Sequence, residues 1–381
     1  MTIQLPLAAH DAALAGTMLA MGAAARTASA LGAKAGPDKR TVALRAMAKR
    51  IRDAAPAILA ANDKDMAGGK AKGLTGAMLD RLQLDPGRIE AMARGVEDVA
   101  ALPDPVGTVL ASWKRSNGLE ISRVRGPIGV IGIIYESRPN VTADAGALCL
   151  RAANAVILRG GSESLHSSRA IADALRAGLA DAGLPENAIQ LVQTPDRAAV
   201  GYMMAGLEGK LDVLVPRGGK SLVARVQEEA RVPVIGHLEG LCHTYIHEKA
   251  DPAKAESIVV NAKMRRVGVC GSTETMQIDA PVALGLLPRL AKALEAAGCE
   301  LRGDDRARAI HQMKTATVED WTTEYLAPIL SIAVVDGIEG AMNHIATYGS
   351  QHTESIVTED DAAAERFLAE VDSAIVMRNA S

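Results

Sequence analysis

Residues 127–164 read PIGVIGIIYESRPNVTADAGALCLRAANAVILRGGSES. The β-branched run IGVIGIIY leads into a helical stretch through ADAGALCLRAANA and then into a second run, AVILRG. Continuous apolar strands separated by amphipathic helices are what a parallel sheet covered on both faces requires. The alternation continues with a helix from about Ser167 to Ala182, the strand AIQLVQ, a helix near 196–208 and the strand LDVLVPRGG. The second half repeats the texture: the strand VPVIGHL (232–238), the helix AKAESIVVNAKM, a helix over 281–297, and the strands ILSIAVV and ESIVT. The fold class is α/β, and ligands in such sheets bind at the carboxyl ends of strands.

Working outward, the first hundred residues read as helical. TVALRAMAKRIRDAAPAILAAN carries Leu44, Met47, Ala48 and Ile51 at the spacing of one buried stripe, and Asp38 is expected to cap that helix. Between helices and sheet lies VLASWKRSNGLEISRVRG (109–126), two extended segments around Asn117-Gly118, a dipeptide that supplies positive φ for a tight turn. A two-stranded arm is marginal alone and exposes its edges, so this hairpin is expected to pair with another subunit.

Composition excludes several functions. At 381 residues the chain builds its core from aliphatic side chains, since 48% of residues are hydrophobic but only 2% aromatic. Stacking platforms for bases are therefore not expected, and a net charge of −3 offers no basic field for nucleic acid or an anionic membrane. The four cysteines, Cys149, Cys242, Cys270 and Cys299, show no CxxC pair or metal-ligand spacing, which predicts reduced thiols, no metal and a cytoplasmic location. ALAGTMLAMGAAA (13–25) follows His10 and Asp11 without a positive n-region, so it is not expected to be a signal peptide.

Two glycine turns imitate nucleotide motifs. VPRGGKSL contains GKS at 219–221, but the glycine that a phosphate-binding P-loop needs five residues earlier is Leu214. LRGGSES (158–164) ends a strand and precedes a helix, where backbone N–H groups gather for an anion; a plain strand-to-helix turn reads equally well.

Cys270, in RRVGVCGSTET (265–275), follows a helix ending NAKMRR and enters a loop of small residues. A cysteine among Val and Gly is commonly a small core residue. Here Lys263, Arg265 and Arg266 are close in sequence, and cations raise the thiolate fraction of a neighbouring thiol, which prepares a nucleophile.

Three runs, residues 126–164, PVIGHLEGLCHTYI (233–246) and NAKMRRVGVCGSTET (261–275), together resemble the gamma-glutamyl phosphate reductase (glutamate-5-semialdehyde dehydrogenase) family of the aldehyde dehydrogenase superfamily. The resemblance runs from about residue 10 to the last residue. It implies an aldehyde dehydrogenase-like subunit with a dinucleotide-binding domain (1–108 and 127–236), an oligomerisation hairpin (109–126) and a catalytic domain (237–381). The implied activity is NADPH-dependent reduction of L-glutamyl 5-phosphate to the 5-semialdehyde through a Cys270 thioester, the second step of proline biosynthesis. It also implies a homo-oligomer, dimer or dimer of dimers, and association with glutamate 5-kinase.

Residue by residue, the expected cofactor contacts are Arg159, Gly160, Gly161, Ser162, Gly218 and Gly219, with Glu324 holding the nicotinamide ribose. Ser162 stands where NAD-preferring relatives often carry glutamate and leaves room for a 2′-phosphate. Ser137, Arg138, Asn140, His237, His243, Lys263, Arg265 and Arg266 are the expected substrate contacts, the basic ones as clamps on phosphate and carboxylate. His243 serves equally well as a buried structural histidine, and Cys242 reads as packing. Hydrolytic aldehyde dehydrogenases carry a general-base glutamate in ELGG; here that stretch reads HLEG, with His237 33 residues before Cys270 and Glu239 nearby. Lack of a water-activating base suits a thioester that has to survive until hydride arrives. Family members continue beyond SAIVMRNAS with a glycine-rich segment and a tail that supplies a strand to the arm, so a chain ending at Ser381 is expected to assemble weakly and turn over slowly. A related acyl-phosphate or aldehyde dehydrogenase, or a non-catalytic assembly subunit, are the alternatives.

Overall fold

The computed structural model describes residues 12–74 and 76–381, so His10 and Asp11 lie outside the described residues. The chain divides into two compact units, Met1–Gly236 and His237–Ser381. Among the described residues no helix is long and apolar enough to cross a membrane.

The first unit opens with helices α1 (Ala12–Gly32), α2 (Pro37–Asp53), α3 (Ala55–Ala71), α4 (Gly76–Leu82) and α5 (Pro86–Ala101). Asp38 does not cap α2. Pro37 starts the helix behind Gly36, which puts Asp38 in the first turn; proline suits that position because its missing N–H has no helical partner there. The 41–62 stripe is also divided, because Pro56 can only sit in the first turn of a new helix, α3. Leu44, Met47, Ala48 and Ile51 are fully buried, and each large side chain among them contributes about 1.5–3 kcal/mol.

Strands β1 (Val109–Lys114) and β2 (Glu120–Val124) form an antiparallel pair. The Gly118 N–H donates to the Arg115 carbonyl and Gly118 has φ +89°, a tight turn closed by glycine. Val109, Leu110, Trp113 and Val124 are exposed along this ribbon. The chain then builds β3 (Val130–Tyr135), α6 (Val141–Arg151), β4 (Ala155–Arg159), α7 (Leu165–Asp181), β5 (Ile189–Leu191), α8 (Ala198–Met204), β6 (Val213–Arg217) and α9 (Lys220–Glu229). The sheet is parallel, in the order β5-β4-β3-β6. Connections leave β3 toward β4 on one side and return to β6 on the other, which opens a switch-point crevice beside the carboxyl end of β3. VPVIGHL is not a strand: its register carries only one bridge, Leu214 to Val234.

The second unit comprises β7 (Cys242–Ile246), α10 (Pro252–Met264), β8 (Thr273–Asp279), α11 (Ala280–Ala296), β9 (Glu300–Gly303), α12 (Asp305–Ile310), β10 (Lys314–Thr315), β11 (Ile329–Val335), α13 (Gly337–Tyr348), β12 (Thr353–Val357), α14 (Asp361–Glu370) and β13 (Ile375–Arg378). Its parallel sheet runs β10-β9-β11-β8-β7-β12-β13. The central strand β8, TETMQID, is buried along its whole length although five of its seven side chains are polar. Four of them have partners: Glu274 takes Lys263, the Gln277 amide donates to the Ala341 carbonyl while its oxygen is left without a partner, Asp279 accepts from the Tyr245 hydroxyl, and Thr273 shares a hydrogen bond with Thr244. Buried polar groups persist only when so paired.

Candidate active site around Cys270

Cys270 lies on the turn between α10 and β8, at the amino-terminal edge of the seven-stranded sheet. The carboxyl-end rule therefore does not locate it. It is the half-exposed member of four unbridged thiols, the other three being buried. Burial pushes the thiols of Cys149 and Cys299 up to about 12 and about 11, and that of Cys242 higher still, which keeps them as unreactive thiols at neutral pH.

Main-chain contacts hold the turn. The Ser272 N–H donates to the Val269 carbonyl, and the Cys242 thiol donates to the Cys270 carbonyl at 3.1 Å, a packing role with a polar handle. Gly240 presses on the same peptide so closely that an added Cβ would sit 1.9 Å from the Cys270 carbonyl oxygen. The Gly240 N–H in turn donates to Glu324 Oε1 at 3.1 Å, which ties the Glu324 segment to the cysteine turn.

Lys263 is not a clamp. It is fully buried and paired with Glu274 at 2.5 Å beneath the turn, and Glu274 Oε1 also accepts the Leu326 N–H. Burial raises the Glu274 carboxyl to about 7 against the pull of Lys263. The pair pins the end of α10, strand β8 and the segment carrying Glu324 to one another, so its charge is not available to a substrate. Arg265 and Arg266 are exposed at the end of α10 and line a cavity of about 200 Å³ with Asn261, His243, Gly271 and Ser355.

His243 is buried. Its Nδ1 and its backbone N–H both meet Glu354 Oε2 at 2.9 Å, a contact created by the β7–β12 register, which sets His243 opposite Glu354. Its Nε2 and Glu354 Oε1 are sealed without a hydrogen-bond partner, and His344 packs against the ring at 5.5 Å between centroids. His237 is exposed, and its ring meets that of His352 edge-on at 4.8 Å. One ring nitrogen from each, with the Cys270 sulfur, forms a set whose members all lie within 4.8 Å of one another. Sequence reasoning missed His352; its signal, a histidine just before the strand TESIV, acquires meaning only once β12 is known to lie beside β7.

In the first unit, Gly160, Gly161 and Ser162 follow β4, and Gly218 and Gly219 follow β6 at the carboxyl edge of the four-stranded sheet. Ser137, Arg138 and Asn140 lie in the loop after β3, where Asn140 Nδ2 donates to Asp144. A Cβ on Gly160 would come within 3.1 Å of the Tyr135 ring and one on Gly218 within 2.8 Å of the Glu136 side chain, so both turns pass close to the end of β3. Arg159 is buried and its guanidinium donates to the carbonyls of Gly160 and Pro195, which braces the turn. Glu163, overlooked in the sequence, accepts from Ser162 at 2.8 Å and Ser137 at 3.4 Å, with Lys72 at 3.9 Å. Exposed small residues at a switch-point crevice, with carboxylates able to accept ribose hydroxyls, fit a dinucleotide.

An aldehyde dehydrogenase is the class of protein that a parallel α/β unit of this kind and a cysteine turn of this kind define. The sequence profile described as the aldehyde dehydrogenase family matches residues 7–309, and the chain belongs to that family. Within it the chain groups with the gamma-glutamyl phosphate reductases. The enzyme of that name from Caulobacter vibrioides is 63% identical over 96% of this chain and 88% of its own length, and that from Hyphomonas neptunium is 64% identical over 97% and 87%. The crystal structure of gamma-glutamyl phosphate reductase from Thermotoga maritima superposes with a TM-score of 0.91 at 38% identity, covering 96% of this chain and 88% of that one.

Proposed function

We propose that the chain reduces L-glutamyl 5-phosphate to L-glutamate 5-semialdehyde with release of phosphate, in the second step of proline biosynthesis, with Cys270 as nucleophile and NADPH as reductant. The observation that carries the reading is the half-exposed Cys270 thiol, with His237 and His352 ring nitrogens within 4.8 Å of it, in a chain 63% identical to a gamma-glutamyl phosphate reductase.

An imidazole of this pair takes the thiol proton, and the Cys270 sulfur forms a bond to the acyl carbon while backbone N–H groups of the turn hold the oxyanion. The carbon–oxygen bond to phosphate breaks, the electron pair leaves with the phosphate, and Cys270 carries the acyl group as a thioester. A bound reduced nicotinamide supplies the hydride for that carbon. Cys270 then leaves as thiolate from the thiohemiacetal and the aldehyde is released. Arg265 and Arg266 balance the substrate's phosphate and carboxylate. Gly160, Gly161, Ser162, Gly218 and Gly219 hold the dinucleotide. The exposed apolar hairpin suits pairing with a second copy of the chain.

The test is the reverse reaction, semialdehyde with phosphate and NADP, followed by the rise in NADPH absorbance. Activity is expected, with Cys270→Ala at the detection limit while NADPH still quenches protein fluorescence. A variant that keeps more than a few per cent of the activity would rule out the covalent route.

A further inference from the structure

We propose that Cys270, His237 and His352 form a binding site for a thiophilic divalent cation, Zn²⁺ foremost, which holds the nucleophile in an unreactive state. One thiol sulfur and two ring nitrogens lie within 4.8 Å of one another. Sulfur and imidazole together select zinc over magnesium and calcium, which take oxygen. Tetrahedral zinc with bonds of about 2.0–2.3 Å sets its ligands about 3.3–3.6 Å apart, so the three side chains close by little more than 1 Å. The two with room to do so are His237, exposed on the coil before Gly240, and Cys270, on a turn. His352 is the fixed member: its Nδ1 lies 2.8 Å from the Thr353 hydroxyl and 3.6 Å from the Cys242 sulfur, contacts of the kind that orient a ligating histidine.

Binding replaces the thiol proton by the metal and releases one proton. Three protein ligands leave the fourth position to water. A sulfur engaged in this bond cannot attack a carbonyl, so the cation inhibits reversibly. The site itself stands on the donor geometry; only the inhibition rests on Cys270 being the nucleophile.

Co²⁺, a spectroscopic stand-in for zinc, tests the site on the whole chain with its thiols reduced. One Co²⁺ per chain is expected to give a thiolate charge-transfer band in the near ultraviolet, displaced by Zn²⁺, absent in Cys270→Ala and retained in Cys242→Ala. His237→Ala and His352→Ala should each weaken Co²⁺ binding at least tenfold. On the unmodified protein, Zn²⁺ should slow alkylation of Cys270 by iodoacetamide and inhibit turnover, with both effects reversed by EDTA. Absence of the band, its persistence in Cys270→Ala, or unchanged affinity in both histidine variants overturns the proposal. A band in a chain whose Cys270→Ala variant stays active leaves the metal site standing and removes only its inhibitory consequence.

Discussion

Replacing Gly240 by alanine places a methyl group 1.9 Å from the Cys270 carbonyl oxygen, 2.7 Å from its carbonyl carbon and 3.0 Å from its Cα. All three are main-chain atoms, so no rotamer change relieves the overlap, and in a close-packed interior the two strands of chain have to part by roughly 1.1–1.5 Å. The Cys270 sulfur rides on that peptide, and the Gly240 N–H that positions Glu324 moves with it. A displacement of about 1 Å in a reacting group costs roughly 100-fold in rate, or about 2.7 kcal/mol of activation free energy. Gly271, on the other side of the cysteine, is the control: an added Cβ there meets no atom within 4 Å. In the reverse assay kcat is expected to fall about 100-fold for Gly240→Ala and to stay within about threefold for Gly271→Ala, with thermal melting used to show that both variants are folded. Near-normal kcat in Gly240→Ala, or equal damage in the two variants, would refute the claim that this contact sets the position of the nucleophile.

Ser162→Glu is expected to lower the NADPH to NADH preference about tenfold, since a second carboxylate beside Glu163 repels a 2′-phosphate by about 1 kcal/mol or more; unchanged cofactor ratios would locate that phosphate elsewhere. Lys263→Met strands Glu274 in the interior and should lower stability to urea by about 3–5 kcal/mol; a variant of normal stability with a raised KM would return Lys263 to the substrate. The His344 ring is pushed down to about 4, first by burial and then by the neighbouring His243. The unfolded chain therefore binds a proton that the folded chain refuses, so stability is complete above about pH 6.5 and declines as pH falls toward 4, by up to about 3 kcal/mol. Urea midpoints at several pH values should show this, and His344→Asn should flatten the profile; an equal slope in the variant would assign the acid sensitivity to other groups.

The parts that were legible in the sequence are those where burial and apolarity coincide. Strands β3, β4 and β6 lie inside apolar runs, and the stripe through Leu44, Met47 and Ile51 is a core face. Strand β8 was not legible, although it is the centre of its sheet. TETMQID alternates polar side chains that become apolar in effect only through partners elsewhere in the chain: Lys263, Tyr245, Thr244 and the Ala341 carbonyl. VPVIGHL erred the other way, being β-branched yet without a neighbour beyond one bridge. At the site, the partial exposure of Cys270 is what the small residues Gly268, Gly271 and Ser272 around it imply. The partners of Lys263 and Arg159 were not legible, because a charge near a functional run looks the same in one dimension whether it faces solvent, a carboxylate or the backbone. His352 and Glu354 were missed because the register that sets Glu354 against His243 joins residues 111 positions apart.

The Lys263–Glu274 pair has a consequence for how the second unit comes into being. Its charges are tolerable only when the end of α10, strand β8 and the segment around Leu326 have all arrived, since any intermediate that buries one charge without the other bears a penalty of several kcal/mol. The sheet centre and the cysteine turn therefore stabilise one another, and any form of the chain that buries either charge alone is disfavoured.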